Sequence, residues 1–139
     1  MLQPKRTKFR KYQKGILGGK TSNTQSLRQG NYGLRTLTAG RISSRVIEAA
    51  RRTMTRALKR HGQIWIRVFP DQSVTEKPAE VRMGKGKGNP AYWMARVQAG
   101  QILFELGGIS CELAQTAARL GAQKIPTQTV FVGADDKTE

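Results

Sequence analysis

The spacing of apolar residues predicts an amphipathic helix over roughly Ser44 to His61. Apolar residues recur there at intervals of three and four and so share one helix face; they are Ile47, Ala50, Met54 and Leu58. Ser43 or Ser44 is the expected N-terminal cap, and Gly62 marks the stop. Glu48 stands early in the helix, where the helix dipole favours an acid. We expect this helix to pack one face on a sheet.

A second helix is predicted from about Ser110 to Lys124, with Leu113, Ala117 and Leu120 facing inward and Pro126 ending it. Most other segments are extended, with apolar and polar residues alternating. Asn31–Thr38 is one expected strand, and Gly40 follows its end. The other expected strands are Gln63–Phe69, Val74–Met83, Ala91–Val97, Gln101–Leu106 and Thr127–Val132. Hairpins with two well-separated helices indicate an α+β fold with antiparallel strands, and disfavour a parallel doubly wound sheet.

Residues 1–29 differ from the rest because they are basic and poor in apolar residues. They are expected to form an extended N-terminal arm that binds a polyanion, followed by one α+β domain over residues 30–139. A length of 139 residues suits a single domain.

Charge sharpens this division. Residues 1–60 contain 16 Lys and Arg and one acid, Glu48, whereas residues 61–139 contain 9 Lys and Arg and 8 acids. Nearly all of the net charge of +16 therefore lies in the arm and the first helix. On that helix, cations gather opposite the apolar face; they are Arg45, Arg52, Arg56 and Lys59. A nucleic-acid partner is the expectation.

Other protein classes fit poorly. The sequence has no apolar run long enough to span a membrane, so no membrane partner is expected. A transit peptide is an alternative for residues 1–47, which contain no acid, but Pro4 and the Gly15, Gly18 and Gly19 positions would break its helix. The lone Cys111 fits a reducing compartment.

Two glycine-rich segments resemble phosphate-binding loops. Gly18-Gly19-Lys20-Thr21 ends like a P-loop, but position 14 is Lys, and neither a strand nor a helix flanks it. In Gly84–Pro90, the glycines permit close backbone approach while Arg82, Lys85 and Lys87 supply donors for phosphate oxygens. We interpret this second segment as a mobile cationic tip that reaches into folded RNA, with a solvated, flexible turn as the alternative.

Catalytic and metal chemistry have little support. His61 is the only histidine, and Cys111 has no evident base partner, so no catalytic residue, metal or cofactor is expected. Phe9 and Tyr12 in the arm are candidates for stacking on bases. The aromatics in or beside strands could also stack on bases, but core packing is the favoured expectation for them; they are Trp65, Phe69, Tyr92, Trp93 and Phe104.

Several segments together resemble the universal L-sixteen family of large-subunit ribosomal proteins in its bacterial-type form. The matching segments are Met1–Lys11, Ile47–Arg56, Ile64–Asp71, Thr75–Asn89 and Tyr92-Trp93. The match spans almost the whole chain, and R-M-G-K-G-K-G is its most specific motif. Because the family motif begins at Met1, the resemblance disfavours a transit peptide.

The resemblance implies an α/β-hammerhead-like α+β fold and a non-enzymatic, structural role in translation, on a ribosome of the bacterial cytoplasm or of an organelle. The implied partners are large-subunit ribosomal RNA, tRNA in the aminoacyl site and neighbouring ribosomal proteins, with roles in tRNA accommodation and late assembly. The arm residues expected to bind RNA are Lys5, Arg6, Lys8, Arg10 and Lys11. Helix cations Arg51, Arg52 and Arg56 would contact RNA backbone. The loop Arg82, Met83, Lys85 and Lys87 would point toward the peptidyl-transferase region and incoming tRNA.

The chain departs from the family pattern at three places. Residues 15–30 contain only Lys20 and Arg28 as cations, Gln72-Ser73 replaces the usual Lys-Pro, and the acidic tail Ala134–Glu139 has no match. Two rival functions stay open on the sequence: a general nucleic-acid chaperone, and a phosphate-processing enzyme that would use the Gly-Lys-Thr segment.

Overall fold

The computed structural model describes residues 1–19 and 24–134 of the chain. Within them the chain forms seven strands and two helices. The elements are, in chain order, β1 (Tyr32–Thr36), β2 (Gly40–Ser43), α1 (Ser44–Ala57), β3 (Gln63–Ile66), β4 (Gln72–Glu76), β5 (Asn89–Val97), β6 (Ile102–Gly107), α2 (Cys111–Ala122) and β7 (Thr129–Gly133).

The strands form two sheets, one in the order β3-β6-β1-β7 and the other in the order β2-β5-β4. All of the strand pairs are antiparallel. In the larger sheet β6 is central and buried along its whole length, with Leu34 opposite Phe104 in the neighbouring strand. In the smaller sheet Ser43 and Gln72 flank Met94 of β5 from either side.

The two helices pack against each other; α1 contacts strands of both sheets, and α2 contacts β1 and β7 of the larger sheet. The apolar face of α1 is buried as its spacing predicts, and it consists of Ile47, Ala50, Met54 and Leu58. Small residues of α2 meet this face: an added Cβ at Gly121 would lie 2.7 Å from Cγ of Met54. Close approach of the helices thus depends on the absence of a side chain there.

The α+β prediction with antiparallel strands and two helices is confirmed. Ser43 is the N-cap of α1, with its Oγ accepting from the Val46 amide. The helix is shorter than predicted, because it ends at Ala57 with Leu58 as its cap. Lys59 and Arg60 then adopt left-handed backbone conformations with φ of 48° and 67°. Lys59 therefore does not continue the row of helix cations.

Three further predictions need correction. Gly40 begins a strand, β2, that is paired with β5, instead of merely punctuating the chain. The strand predicted over Val74–Met83 is shorter and begins earlier, because β4 spans Gln72–Glu76. The rest of the predicted stretch, residues 77–83, is exposed and is not a strand. In α2 Ala117 is buried and Leu113 is half-buried against the core, as predicted. Leu120 is half-buried and lies outside the core cluster, and the other buried positions are Ala114, Ala118 and Gly121.

Candidate RNA-binding surface

Residues 1–19 contain no helix or strand. Some of their backbone carbonyl oxygens accept hydrogen bonds from side chains of the smaller sheet. Ser73 Oγ donates to the Arg10 carbonyl at 2.6 Å, and Gln72 Nε2 donates to the Gln13 carbonyl at 3.0 Å. Arg41 Nη2 donates to the Gly15 carbonyl at 2.8 Å. Gln72 and Ser73, the residues expected from the resemblance to depart from the family pattern, thus bind the arm. The predicted arm cations are all exposed; they are Lys5, Arg6, Lys8, Arg10 and Lys11.

The segment from Lys77 to Lys87 forms an exposed loop between β4 and β5. Met83 is 99% exposed, and an added Cβ at Gly84 or Gly86 would meet nothing within 4 Å. Lys77 Nζ donates to the Gly84 carbonyl at 2.7 Å, which closes the loop on itself. The predicted loop residues are all exposed; they are Arg82, Met83, Lys85 and Lys87.

The structure brings the arm and this loop together, although they are far apart in sequence. Lys11 Nζ donates to the Lys87 carbonyl at 3.0 Å. In return, Lys87 Nζ donates to the Tyr12 carbonyl. Two cationic segments therefore form one surface, hereafter the arm–loop surface, which consists of Lys5, Arg6, Lys8, Arg10, Lys11, Arg82, Met83, Lys85 and Lys87.

The helix cations are not equivalent, because Glu48 pairs with two of them. Arg51 binds the Glu48 carboxylate through two nitrogens, at 2.6 and 2.9 Å, and Arg52 Nε lies 3.0 Å from it. The hydrogen bond from Arg51 is the main cause that lowers the pKa of Glu48 to about 2. Arg45 and Arg56 are exposed and have no acidic partner among the described residues. They are the members of the row with uncompensated charge.

Residues 28–30, just before β1, donate hydrogen bonds to an acid that the sequence motifs did not predict as a binding residue. Glu105 of β6 has 0% exposure and accepts hydrogen bonds from the amides of Gln29 at 2.6 Å and Gly30 at 2.8 Å. The Arg28 amide, at 3.2 Å, and the Arg67 guanidinium complete its donors. Burial alone would raise the pKa of Glu105, but these donors together lower it.

We call this arrangement the Glu105 clamp: the carboxylate of Glu105 with the amides of residues 28–30 and the guanidinium of Arg67. A lone acid inside the apolar run Ile102–Leu106 was the signal that could have revealed it, since a buried carboxylate requires donors. Arg67, among the apolar residues after β3, was the matching signal. The clamp is a structural feature, and its charges are turned inward.

The residues considered for catalysis or metal binding do not come together in a site within the described part of the chain. Cys111 and His61 are both exposed. No group of three or more His, Cys, Asp or Glu among the described residues could hold a metal ion. In that same part of the chain no helix is long and apolar enough to cross a membrane. Lys20 and Thr21 of the Gly-Lys-Thr segment, and Asp135–Glu139 of the acidic tail, lie outside the described residues.

Exposed cations gathered on an extended arm and a glycine-rich loop of an α+β protein are typical of proteins that bind a nucleic acid. The family model described as Ribosomal protein L16p/L10e matches residues 4–132. The chain is also 59% identical over 132 residues to the protein named "Large ribosomal subunit protein uL16m" of Prototheca wickerhamii, covering 95% of this chain and 98% of that relative. The chain therefore belongs to the ribosomal protein L16p/L10e family.

Membership of this family makes the protein a structural component of the large ribosomal subunit, associated there with ribosomal RNA and neighbouring ribosomal proteins. The resemblance stated from the sequence motifs is thus confirmed. The relative and the family agree with a ribosome of bacterial or organellar type.

Proposed function

We propose that the protein binds large-subunit ribosomal RNA through the arm–loop surface, and that the loop end of this surface supports accommodation of tRNA in the aminoacyl site. The observation that carries the proposal is the pair of contacts between the arm and Lys87, in which Lys11 donates to the Lys87 carbonyl and Lys87 donates to the Tyr12 carbonyl. It joins the cations of both segments into one continuous target for phosphates. The cations of α1, together with Lys59 just beyond its C-cap, form a second contact with RNA backbone; those of the helix are Arg45, Arg51, Arg52 and Arg56.

The chemistry of these contacts favours exchange for RNA. The ammonium groups of Lys11, Lys77 and Lys87 are exposed and bound to neutral carbonyls. A phosphate oxygen is a stronger, charged acceptor at similar distance, so each lysine gains by exchanging its carbonyl for RNA. Each phosphate neutralised also releases counterions, which drives association.

The proposal includes the division of the chain into an RNA-binding arm over residues 1–29 and a single domain over residues 30–139. Residues 28–30 are hydrogen-bonded to the domain by Glu105, so the arm has a fixed base. A role in late assembly follows from this arrangement, because an RNA that binds arm and loop together orders both segments in one step.

The test compares two double variants of the full chain. Lys85→Ala with Lys87→Ala should leave folding intact, slow tRNA accommodation and lessen the salt dependence of RNA binding by about 0.7 to 0.9 in log–log slope per lost phosphate contact. Arg119→Ala with Lys124→Ala removes the same charge from exposed positions in and just after α2 and should change neither. Sedimentation with large subunits after a salt wash reports assembly.

Normal accommodation in the loop variant would remove the tRNA role. Salt-independent RNA binding by the wild-type protein would remove the charge-based mechanism. Equal binding to all nucleic acids, without co-sedimentation with large subunits, would instead support the chaperone alternative.

A further inference from the structure

Trp93 is a strand aromatic that does not belong to the hydrophobic core. Its neighbours Met94 and Ala95 are buried, at 4% and 2% exposure, whereas Trp93 is half-buried and lies outside the core cluster. Burial of a large aromatic ring normally contributes strongly to a core. The largest side chain of β5 is therefore available for another purpose, contrary to the core packing expected of it from the sequence.

Open space lies on two sides of Trp93. A groove of about 520 Å³, between the start of the arm and β5, is lined by Trp93 together with Lys5, Arg10 and Asn89. A smaller cavity of about 130 Å³ is lined by Trp93 and by Arg45 at the start of α1. The larger volume falls within the range of small-molecule sites, roughly 300 to 1,000 Å³, and so could admit a nucleobase.

The lining of both spaces suits a nucleotide. Lys5, Arg10 and Arg45 contribute cations, and no residue that lines either space in the described part of the chain carries a carboxylate. The indole Nε1–H of Trp93 makes no hydrogen bond within the described residues, so it is a donor without a partner. An aromatic face, an unpaired donor and flanking cations are the groups that recognise an unstacked base with its phosphates.

We infer that Trp93 is a stacking platform for one unpaired RNA base, with Lys5 and Arg10 binding the adjoining phosphates. This inference rests on the proposed function, since it names a subsite of the same RNA-binding protein. It also distinguishes two kinds of contact: the cations of the arm–loop surface, Lys5 and Arg10 included, bind any RNA backbone, whereas the Trp93 ring binds only where a base leaves its helix.

The test compares Trp93→Leu, Trp93→Phe and the wild-type protein on two probes: a short single-stranded oligoribonucleotide of mixed sequence and the fully paired duplex of the same length. Trp93→Leu should weaken single-strand binding by about 5- to 100-fold and leave duplex binding and the salt slope unchanged. Trp93→Phe, which retains an aromatic face, should lose less than about 5-fold. Phe69→Leu is the matched control, because Phe69 is an exposed aromatic outside both spaces.

Fluorescence gives a second, independent measurement. In a Trp65→Phe variant, Trp93 is the sole tryptophan, and its emission should be quenched by the single strand and not by the duplex. If Trp65→Phe does not fold, the difference between the wild-type and Trp93→Phe signals reports the same quenching.

The outcomes separate the two proposals. If RNA binding is salt-dependent but Trp93→Leu matches the wild type, the stacking inference fails and the proposed function stands. If neither probe binds in a salt-dependent way, the proposed function fails. If Trp93 emission changes only on incorporation into large subunits and never with RNA alone, a neighbouring protein occupies the groove, and the inference is overturned.

Discussion

The Glu105 clamp and the arm–loop surface hold the two ends of the same basic segment by opposite means. In the clamp, one buried carboxylate binds several backbone amides and a guanidinium. In the arm–loop surface and in the loop that carries it, exposed lysine ammonium groups bind backbone carbonyls, as Lys11 and Lys77 do. The first uses a charge that water cannot reach, and the second uses charges that water surrounds.

This difference teaches how one basic chain can have both a fixed and an exchangeable part. Removing a donor from a buried carboxylate leaves an uncompensated charge, so the clamp is hard to open. An exposed ammonium that loses a carbonyl regains water at once, so its contact is weak and replaceable by phosphate. Structural and RNA-binding charges are thus separated by burial, which the net charge does not reveal.

The largest expected effect comes from Glu105→Gln. It leaves the half-buried Arg67 guanidinium and the amides of residues 28–30 beside a neutral amide that is a weaker acceptor, so the free energy of unfolding should fall by about 3 to 5 kcal/mol. Urea denaturation measures this change. Glu105→Gln combined with Arg67→Met should lose less than the sum of the single variants, because the two groups form one network.

Lys77→Met is the control from the other region, because it removes an exposed contact with a carbonyl. Its unfolding free energy should change by less than about 0.5 kcal/mol. Equal losses in Glu105→Gln and Lys77→Met would contradict the distinction between the two regions.

A smaller effect is expected from Gly30→Ala. An added Cβ at Gly30 would lie 2.4 Å from the backbone oxygen of Leu106, so the clamp backbone must shift, at a cost of about 1 to 3 kcal/mol. Gly18→Ala is matched in chemistry but lies in the arm, where a Cβ meets nothing within 4 Å. Thermal denaturation should show it within about 0.5 kcal/mol of the wild type; a larger loss there would mean the arm is packed as tightly as the clamp.

The smallest effect concerns Glu48, a partly exposed acid between these extremes. Glu48→Gln should cost about 0.5 to 1 kcal/mol near neutral pH. Because folding lowers the pKa of Glu48 from 4.5 to about 2, its contribution is present above pH 4.5 and is lost as the pH falls toward 2. Urea titrations of both proteins across this range should converge at the acidic end. A constant difference between them would show that the carboxylate charge is not its cause.

The parts of the fold that depend on local pattern could be predicted from the sequence. The spacing of apolar residues alone predicts the buried face of α1. The alternation of residues in β3 likewise predicts that Ile64 and Ile66 pack against the core. The strand β2 could not be found in the same way, since its four residues are extended because they pair with β5. Similarly, α1 ends at Ala57 although the helical pattern continues to Leu58 and beyond.

The candidate RNA-binding surface likewise has one part that could be predicted from the sequence and one part that could not. The identity of its cations could be read from composition and spacing, but the proximity of Lys11 to Lys87 could not, because it depends on tertiary structure that joins positions 76 residues apart. The role proposed for Trp93 likewise depends on tertiary structure, because no part of the hydrophobic core among the described residues packs over its ring. Alternation predicts which side of a strand a residue occupies, and not whether a core exists on that side.

The long sequence separation within the Glu105 clamp has a consequence for synthesis on the ribosome. The amides that bind Glu105 precede it by 75 to 77 residues, so the arm emerges well before the carboxylate that anchors its base exists. Closing so large a loop is slow relative to local folding. We expect the base of the nascent arm, residues 28–30, to remain unattached until β6 has been made, and pulse proteolysis of stalled chains ending before and after Glu105 would show that base becoming protected only in the longer ones.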